Sequence, residues 1–194
     1  MLALSACGSS ATKSATTTES GQTRSAAEAN RPPTSSTEKP RLATILVESG
    51  GRSANGRVVK QYTCRGANTS PPMTWGGVPS NAQEVVVLAR TLTRGNLETN
   101  WVMGGISPKT THLSAGEVPP GAVVGKNSLG EVRYSLCPPS GKPAIVVFAV
   151  LGLPHKLGLK TGFPARSVSL LIGRPGIAWG SSTAYTGNSS QVLG

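Results

Sequence analysis

No aspartate occurs anywhere in these 194 residues; all eight acidic side chains are glutamate. That absence excludes any mechanism needing an aspartate as base, nucleophile or metal ligand, a Ser–His–Asp triad among them. Histidine is almost as scarce. His112 sits in a Thr-Thr-His-Leu turn and His155 in Leu-Pro-His-Lys, with no cysteine at ligand spacing, so no metal site is expected. No Gly-x-Ser-x-Gly elbow presents a serine nucleophile. The chain therefore reads as a non-enzyme without a cofactor. Aromatic residues make up 4% of it, leaving little on which nucleobases could stack. Its 19 basic residues give a net charge of +11, but they are scattered singly (Arg52, Arg57, Lys60, Arg65, Arg90, Arg94) rather than clustered. Such a distribution predicts a solvated basic surface attracted to anionic lipid or wall polymer, and no nucleic-acid partner.

What the chain has in quantity is Gly, with 24 residues, and Pro, with 15. Both punctuate turns and disfavour long helices, which favours strands joined by many loops. The first residues, ending Leu4-Ser5-Ala6-Cys7, resemble the lipobox of bacterial lipoproteins, with Cys7 as the residue lipidated. The charged and most of the apolar parts of a signal peptide are missing, so residues 1–7 read as a truncated signal remnant. Residues 8–40 are rich in Ser, Thr, Ala and Glu. They bury too little to offset ~1–2 kcal/mol of backbone ordering per residue, so a disordered tether is expected. The predicted location is outside the cytoplasm, on the membrane through a lipid anchor.

A folded domain is expected over residues 41–187, with 188–194 as a frayed tail. Ala43–Val47 predicts a short strand ended by the Ser49-Gly50-Gly51 turn. Residues Arg57–Cys64 are expected to be extended. Glu84–Arg90 is a continuous apolar run of strand length, hence a central strand buried on both faces. Asn100–Ile106 and Ala144–Leu151 are similar, and Ser114–Tyr134 reads as a long structured loop. Pro164–Ile172 has apolar residues at helical spacing behind a proline, which predicts a short helix. The sum is a mainly β sandwich with one or two peripheral helices.

The loops carry a more specific signal. Tyr62-Thr-Cys-Arg-Gly-Ala-Asn-Thr-Ser-Pro-Pro-Met-Thr-Trp-Gly-Gly-Val-Pro79, Trp101-Val102 through Pro108, and Gly121 through Tyr134 and Cys137-Pro-Pro-Ser-Gly141 resemble the phosphatidylethanolamine-binding protein family, its bacterial Raf kinase inhibitor-like group. The resemblance covers roughly Leu42 to Gly187. It implies a large antiparallel sheet against a smaller one, with a C-terminal helix beside a shallow pocket for a phosphate-like anion.

In that family an Asp-Pro-Asp-Ala-Pro run, two histidines and a Gly-Pro dipeptide frame the pocket. Here the acidic run is replaced by Thr91-Leu-Thr93-Arg-Gly95. Asn100 precedes Trp101 where a histidine is expected, Pro143 replaces the second, and Ser135-Leu136 takes the Gly-Pro position. Thr91, Thr93, Asn100, Trp101, Tyr134, Ser135, Cys137 and Pro143 are thus the candidate pocket residues, with Arg94 and Lys142 as further donors. Two readings stand open: an altered pocket for a small molecule or anion, or a vestigial one. Plain core packing is the simpler account of Trp75 and Trp101.

With Cys7 assigned to lipid, Cys64 and Cys137 remain, and the resemblance places both at the pocket edge. A disulfide between them is therefore expected outside the cytoplasm, worth ~3–5 kcal/mol in the chain-entropy account. The functional expectation is a non-catalytic binding or scaffold domain at the cell envelope. Its rivals are an inhibitor-like domain docking on a partner kinase or protease, and an electrostatic binder of anionic lipid or wall polymer.

Overall fold

The computed structural model describes residues 44–187. The expectations for Cys7, the lipobox, the tether and the tail beyond Gly187 lie outside those residues. Among the described residues the protein is a β-sandwich, as expected. A three-stranded sheet has the order β1-β2-β5, from Leu46–Ser49, Met73–Gly76 and His112–Leu113. A five-stranded sheet has the order β6-β4-β3-β7-β8, from Val123–Val124, Asn96–Ile106, Glu84–Thr93, Ala144–Leu153 and Ala178–Thr186. Every pairing between these strands is antiparallel.

β3 lies at the centre of the large sheet, and the period of two along it explains why its run of apolar residues is unbroken. Val85, Val87 and Ala89 join Met73 and Trp75 of the small sheet and Trp101, Met103 and Phe148 of the large one in the core between the sheets. Val86 and Leu88 face the other way, into a second cluster with Val102, Leu151, Leu153, Phe163 and Val168. Burying side chains of this size contributes ~1.5–3 kcal/mol each, which makes this two-faced strand the axis of the fold.

The helix expected over Pro164–Ile172 is a single turn, α1, Arg166–Ser169. No side chain caps its start, and so short a helix has little stability of its own. Val168 holds it to the second cluster, on the face away from the small sheet. The C-terminal helix beside a pocket, implied by the resemblance, is therefore not found among the described residues. That face is covered by the irregular connection between β7 and β8.

β8 is an edge strand whose outer side is covered by other parts of the chain. The Ile45 amide donates to the Trp179 carbonyl at 3.2 Å, the Val58 amide to Tyr185 at 3.1 Å, and Arg52 Nε to the Thr183 carbonyl at 3.0 Å. The crossing at Ile45 requires Gly180, because a Cβ there would lie 1.6 Å from the Ile45 carbonyl oxygen. Covering the edge in this way blocks pairing with another chain. The segment expected to be extended after Arg57 instead folds into a 3₁₀ turn over Lys60–Tyr62. Among the described residues no helix is long and apolar enough to cross a membrane.

Candidate functional site

At the end of β3 the chain turns through Arg94 and Gly95 into β4, with Thr93 opposite Asn96. Gly95 has φ +78°, which glycine alone adopts without penalty. Farther in, the register between the strands slips. Ala89 opposes Trp101 but Arg90 opposes Thr99, so Asn100 is the extra residue of a β-bulge. The bulge brings Asn100 under the end of β3, where its Oδ1 accepts a 2.7 Å hydrogen bond from the Thr91 hydroxyl. The Asn100 carbonyl accepts the Ser135 amide at 2.9 Å, joining the bulge to the segment that leads to Cys137.

That segment is clamped to the loop carrying Cys64. Cys64 and Cys137 form a disulfide with Cα atoms 5.2 Å apart. The Cys64 amide donates to the Leu136 carbonyl at 2.8 Å, and the Leu136 amide donates to Asn68 Oδ1 at 3.1 Å. The Tyr134 hydroxyl donates to the Tyr62 carbonyl at 2.7 Å. Arg65 reaches over the Cys-Pro-Pro turn, donating to the Pro138 carbonyl at 3.0 Å and to the Ser140 hydroxyl. Burial, with a smaller contribution from the neighbouring Tyr62, pushes the Tyr134 phenol well above its ordinary value, so it stays a donor.

Between the hairpin and this turn lies a hollow of about 490 Å³, lined by Thr91, Thr93, Arg94, Glu98, Cys137, Pro139, Lys142 and Pro143. Its walls hold two hydroxyls and two cations against one carboxylate. Glu98 is opposite Thr91 across the hairpin, and its Oε1 accepts from Asn96 Nδ2 at 2.9 Å. Thr186 Oγ1 donates to the Lys142 carbonyl at 3.2 Å, fixing the backbone of the far wall to β8.

The structure thus divides the candidate residues. Thr91, Thr93, Cys137 and Pro143 line the hollow together with Arg94 and Lys142. Asn100, Trp101, Tyr134 and Ser135 do not; all four are buried beneath or behind its walls. Trp101 and Tyr134 pack edge to face, with ring centroids 5.9 Å apart, as part of the inter-sheet core. Glu98 and Pro139 line the hollow but were not foreseen. The pairing of Glu98 with Thr91 across a two-residue hairpin was the signal available for the first. His112 and His155 are exposed and are not among the lining residues. Among the described residues no group of three or more His, Cys, Asp or Glu could hold a metal ion.

A second hollow, of about 350 Å³, lies at the start of β3, with Glu84, Gly105, Lys156 and Leu159 among its lining. Here the polar chemistry is internal. Glu84 Oε1 accepts the Gly105 amide at 2.8 Å and Oε2 accepts the Leu157 amide at 2.7 Å.

Comparison with known proteins places this architecture. The model of the family described as phosphatidylethanolamine-binding protein matches residues 49–186. A UPF0098 protein of the archaeon Methanothermobacter thermautotrophicus is 39% identical over 93 residues, 44% of this chain and 62% of that protein. LppC of Mycobacterium tuberculosis, a protein named as a lipoprotein, is 29% identical over 54% of this chain and 53% of its own length. The matched stretches thus span between half and two thirds of these two relatives. The crystal structure of Escherichia coli YbcL, described as a member of the mammalian PEBP family, superposes with a TM-score of 0.66 at 26% identity. It covers 76% of this chain and all of YbcL. The fold also matches CT736 from Chlamydia trachomatis, with a TM-score of 0.63 at 22% identity over 76% of this chain and 99% of that one.

Proposed function

The chain belongs to the phosphatidylethanolamine-binding protein family, and from that premise we propose that its domain is a non-catalytic module at the cell envelope whose hollow takes a small anion without using histidine. The observation carrying this is the composition of the hollow. Lys142 and Arg94 supply positive charge, while the carboxylate pair and imidazoles of the family pattern are replaced. Cation-assisted hydrogen bonds to phosphate oxygens are short and strong, so two cations at one hollow suit an anion. Glu98 limits the net charge of the site and favours a small, singly or doubly charged ligand over a polyanion.

Attachment through a lipid on Cys7 is part of the same proposal. It draws support from the lipobox-like Leu4-Ser5-Ala6-Cys7 and from the resemblance to LppC, a relative named as a lipoprotein.

Titration calorimetry with inorganic phosphate tests the hollow. Saturable one-site binding is expected, weakened about tenfold in Lys142→Ala, the loss that corresponds to one charge-assisted hydrogen bond. Binding that never saturates and vanishes at about 0.5 M salt would sink the pocket and favour the diffuse +11 surface instead.

A further inference from the structure

The Cys64–Cys137 disulfide occupies an unusual position for a structural cross-link. Both cysteines are exposed, and Cys137 forms part of the wall of the anion hollow. The two loops it joins are also held without it. The Cys64 amide to Leu136, the Leu136 amide to Asn68, Tyr134 to Tyr62, and Arg65 to Pro138 and Ser140 all cross the same gap. Opening the bridge therefore leaves a hydrogen-bonded framework in place, while freeing the Cys137 side chain beside the hollow.

The charges around Cys137 give its opening a consequence. Arg94, Lys142 and Glu98 face it across the hollow, and Arg65, next to Cys64, lies over the turn that follows it. Three cations against one carboxylate favour a thiolate, and a thiol whose ionised form is stabilised is the better leaving group in exchange.

We infer that the disulfide is a redox switch on the anion hollow: a dithiol reductant opens it, and the Cys137 sulfur then competes with the anion for the hollow's cations. The inference rests on the anion-binding function proposed above. In the chemical step a reductant thiolate attacks the sulfur of Cys64, an exposed residue, the S–S bond breaks, and Cys137 leaves as the thiolate. The reductant's second thiol then resolves the mixed disulfide. Overall two electrons pass from the dithiol to the cysteine pair; one proton goes to Cys64 and one to solvent, Cys137 stays a thiolate, and the reductant becomes a cyclic disulfide. Because binding couplings are reciprocal, an anion in the hollow must stabilise the oxidised protein by the factor through which reduction weakens anion binding.

The test uses the full chain, oxidised and after reduction with dithiothreitol, each titrated with inorganic phosphate at pH 6 and pH 8. Reduction is expected to weaken binding about fivefold or more at pH 8, within the usual range of coupled sites, and less at pH 6. Phosphate should raise, by the same factor, the dithiothreitol-to-disulfide ratio needed for half-reduction. The Cys64→Ser/Cys137→Ser double variant, which lacks the thiolate, should bind more tightly than the reduced protein at pH 8. Equal affinities for the oxidised and reduced forms at both pH values would overturn the switch while leaving anion binding intact. Unfolding on reduction, read by circular dichroism, would overturn it as well. Absence of phosphate binding in either form would overturn the proposed function and the switch together.

Discussion

At its first residue β3 carries Glu84, and near its last it carries Thr91 and Thr93; the two ends treat their polar groups differently. Glu84 is 3% exposed, and each of its oxygens takes a backbone amide, one from the bulged part of β4 and one from the loop after β7. Its acceptors serve the chain. A Cβ on the neighbouring Gly104 would come within 3.1 Å of Glu84 Oε1 and 2.5 Å of Leu159, so β4 can pass this carboxylate only as a glycine. At the far end Thr91 spends its hydrogen on Asn100, while the other polar groups lie around a hollow open to solvent. A polar group that holds a fold is saturated by backbone. Arg94 and Lys142, by contrast, are exposed at the hollow, where solvent reaches them.

The largest test of this contrast is Glu84→Ala. Two buried amide donors would lose their acceptor, so unfolding free energy should fall by about 2–4 kcal/mol in urea titrations. Glu84→Gln should recover part of that loss by keeping one oxygen acceptor. A loss below about 1 kcal/mol in the alanine variant would mean that water in the adjoining hollow replaces the carboxylate, and the two ends would then be alike.

Thr91→Val keeps the shape of the side chain but leaves the buried Asn100 oxygen without its donor. A loss of about 1–2 kcal/mol is expected by thermal denaturation, smaller than at Glu84 because one hydrogen bond is removed instead of two.

Tyr134→Phe should cost about 1 kcal/mol near neutral pH, from the lost bond to the Tyr62 carbonyl. It also carries a pH signature. The folded protein holds the phenolic proton more tightly than the unfolded chain, in which tyrosine titrates near ~10. The stability linked to this group is therefore complete below that pH and declines as pH rises above it. Subtracting the variant's stability from that of the parent between pH 8 and 11 should isolate this decline; a constant difference would contradict it.

Lys142→Ala should change stability least, by less than about 0.5 kcal/mol, because its side chain lines an open hollow and packs no core. Phosphate affinity should fall in the same variant. Those opposite responses, large in stability at Glu84 and large in binding at Lys142, are the sharpest form of the contrast.

Much of the large sheet is legible in the sequence because its strands are runs of apolar, mostly β-branched residues long enough to span a layer. Glu84–Arg90, Asn100–Ile106 and Ala144–Leu151 all fall within observed strands. β8 escapes such reading. Its sequence, Ala-Trp-Gly-Ser-Ser-Thr-Ala-Tyr-Thr, is small and polar, and it becomes a strand because β7 offers it nine paired positions. β2 is hidden for a similar reason: four residues between proline-rich loops extend only where β1 and β5 flank them. At the site, Thr91, Thr93, Cys137 and Pro143 could be named from the resemblance of their loops. Separating them from Asn100, Trp101, Tyr134 and Ser135 required the register slip at Asn100, a feature of paired strands rather than of either strand alone.

The amino-acid order alone settled the chemistry available to this protein: glutamate without aspartate, two isolated histidines, Thr91, Thr93 and Arg94 in place of the family's acidic run, and Asn100 and Pro143 in place of its histidines. It also settled the layered β architecture, since periodicity and turn residues act locally along the chain. Which polar groups are saturated and which face a hollow was decided only by tertiary contact. A side chain's partners at Glu84, Asn100 or Cys137 come from segments distant in sequence, and their distances are set by packing that no local pattern encodes.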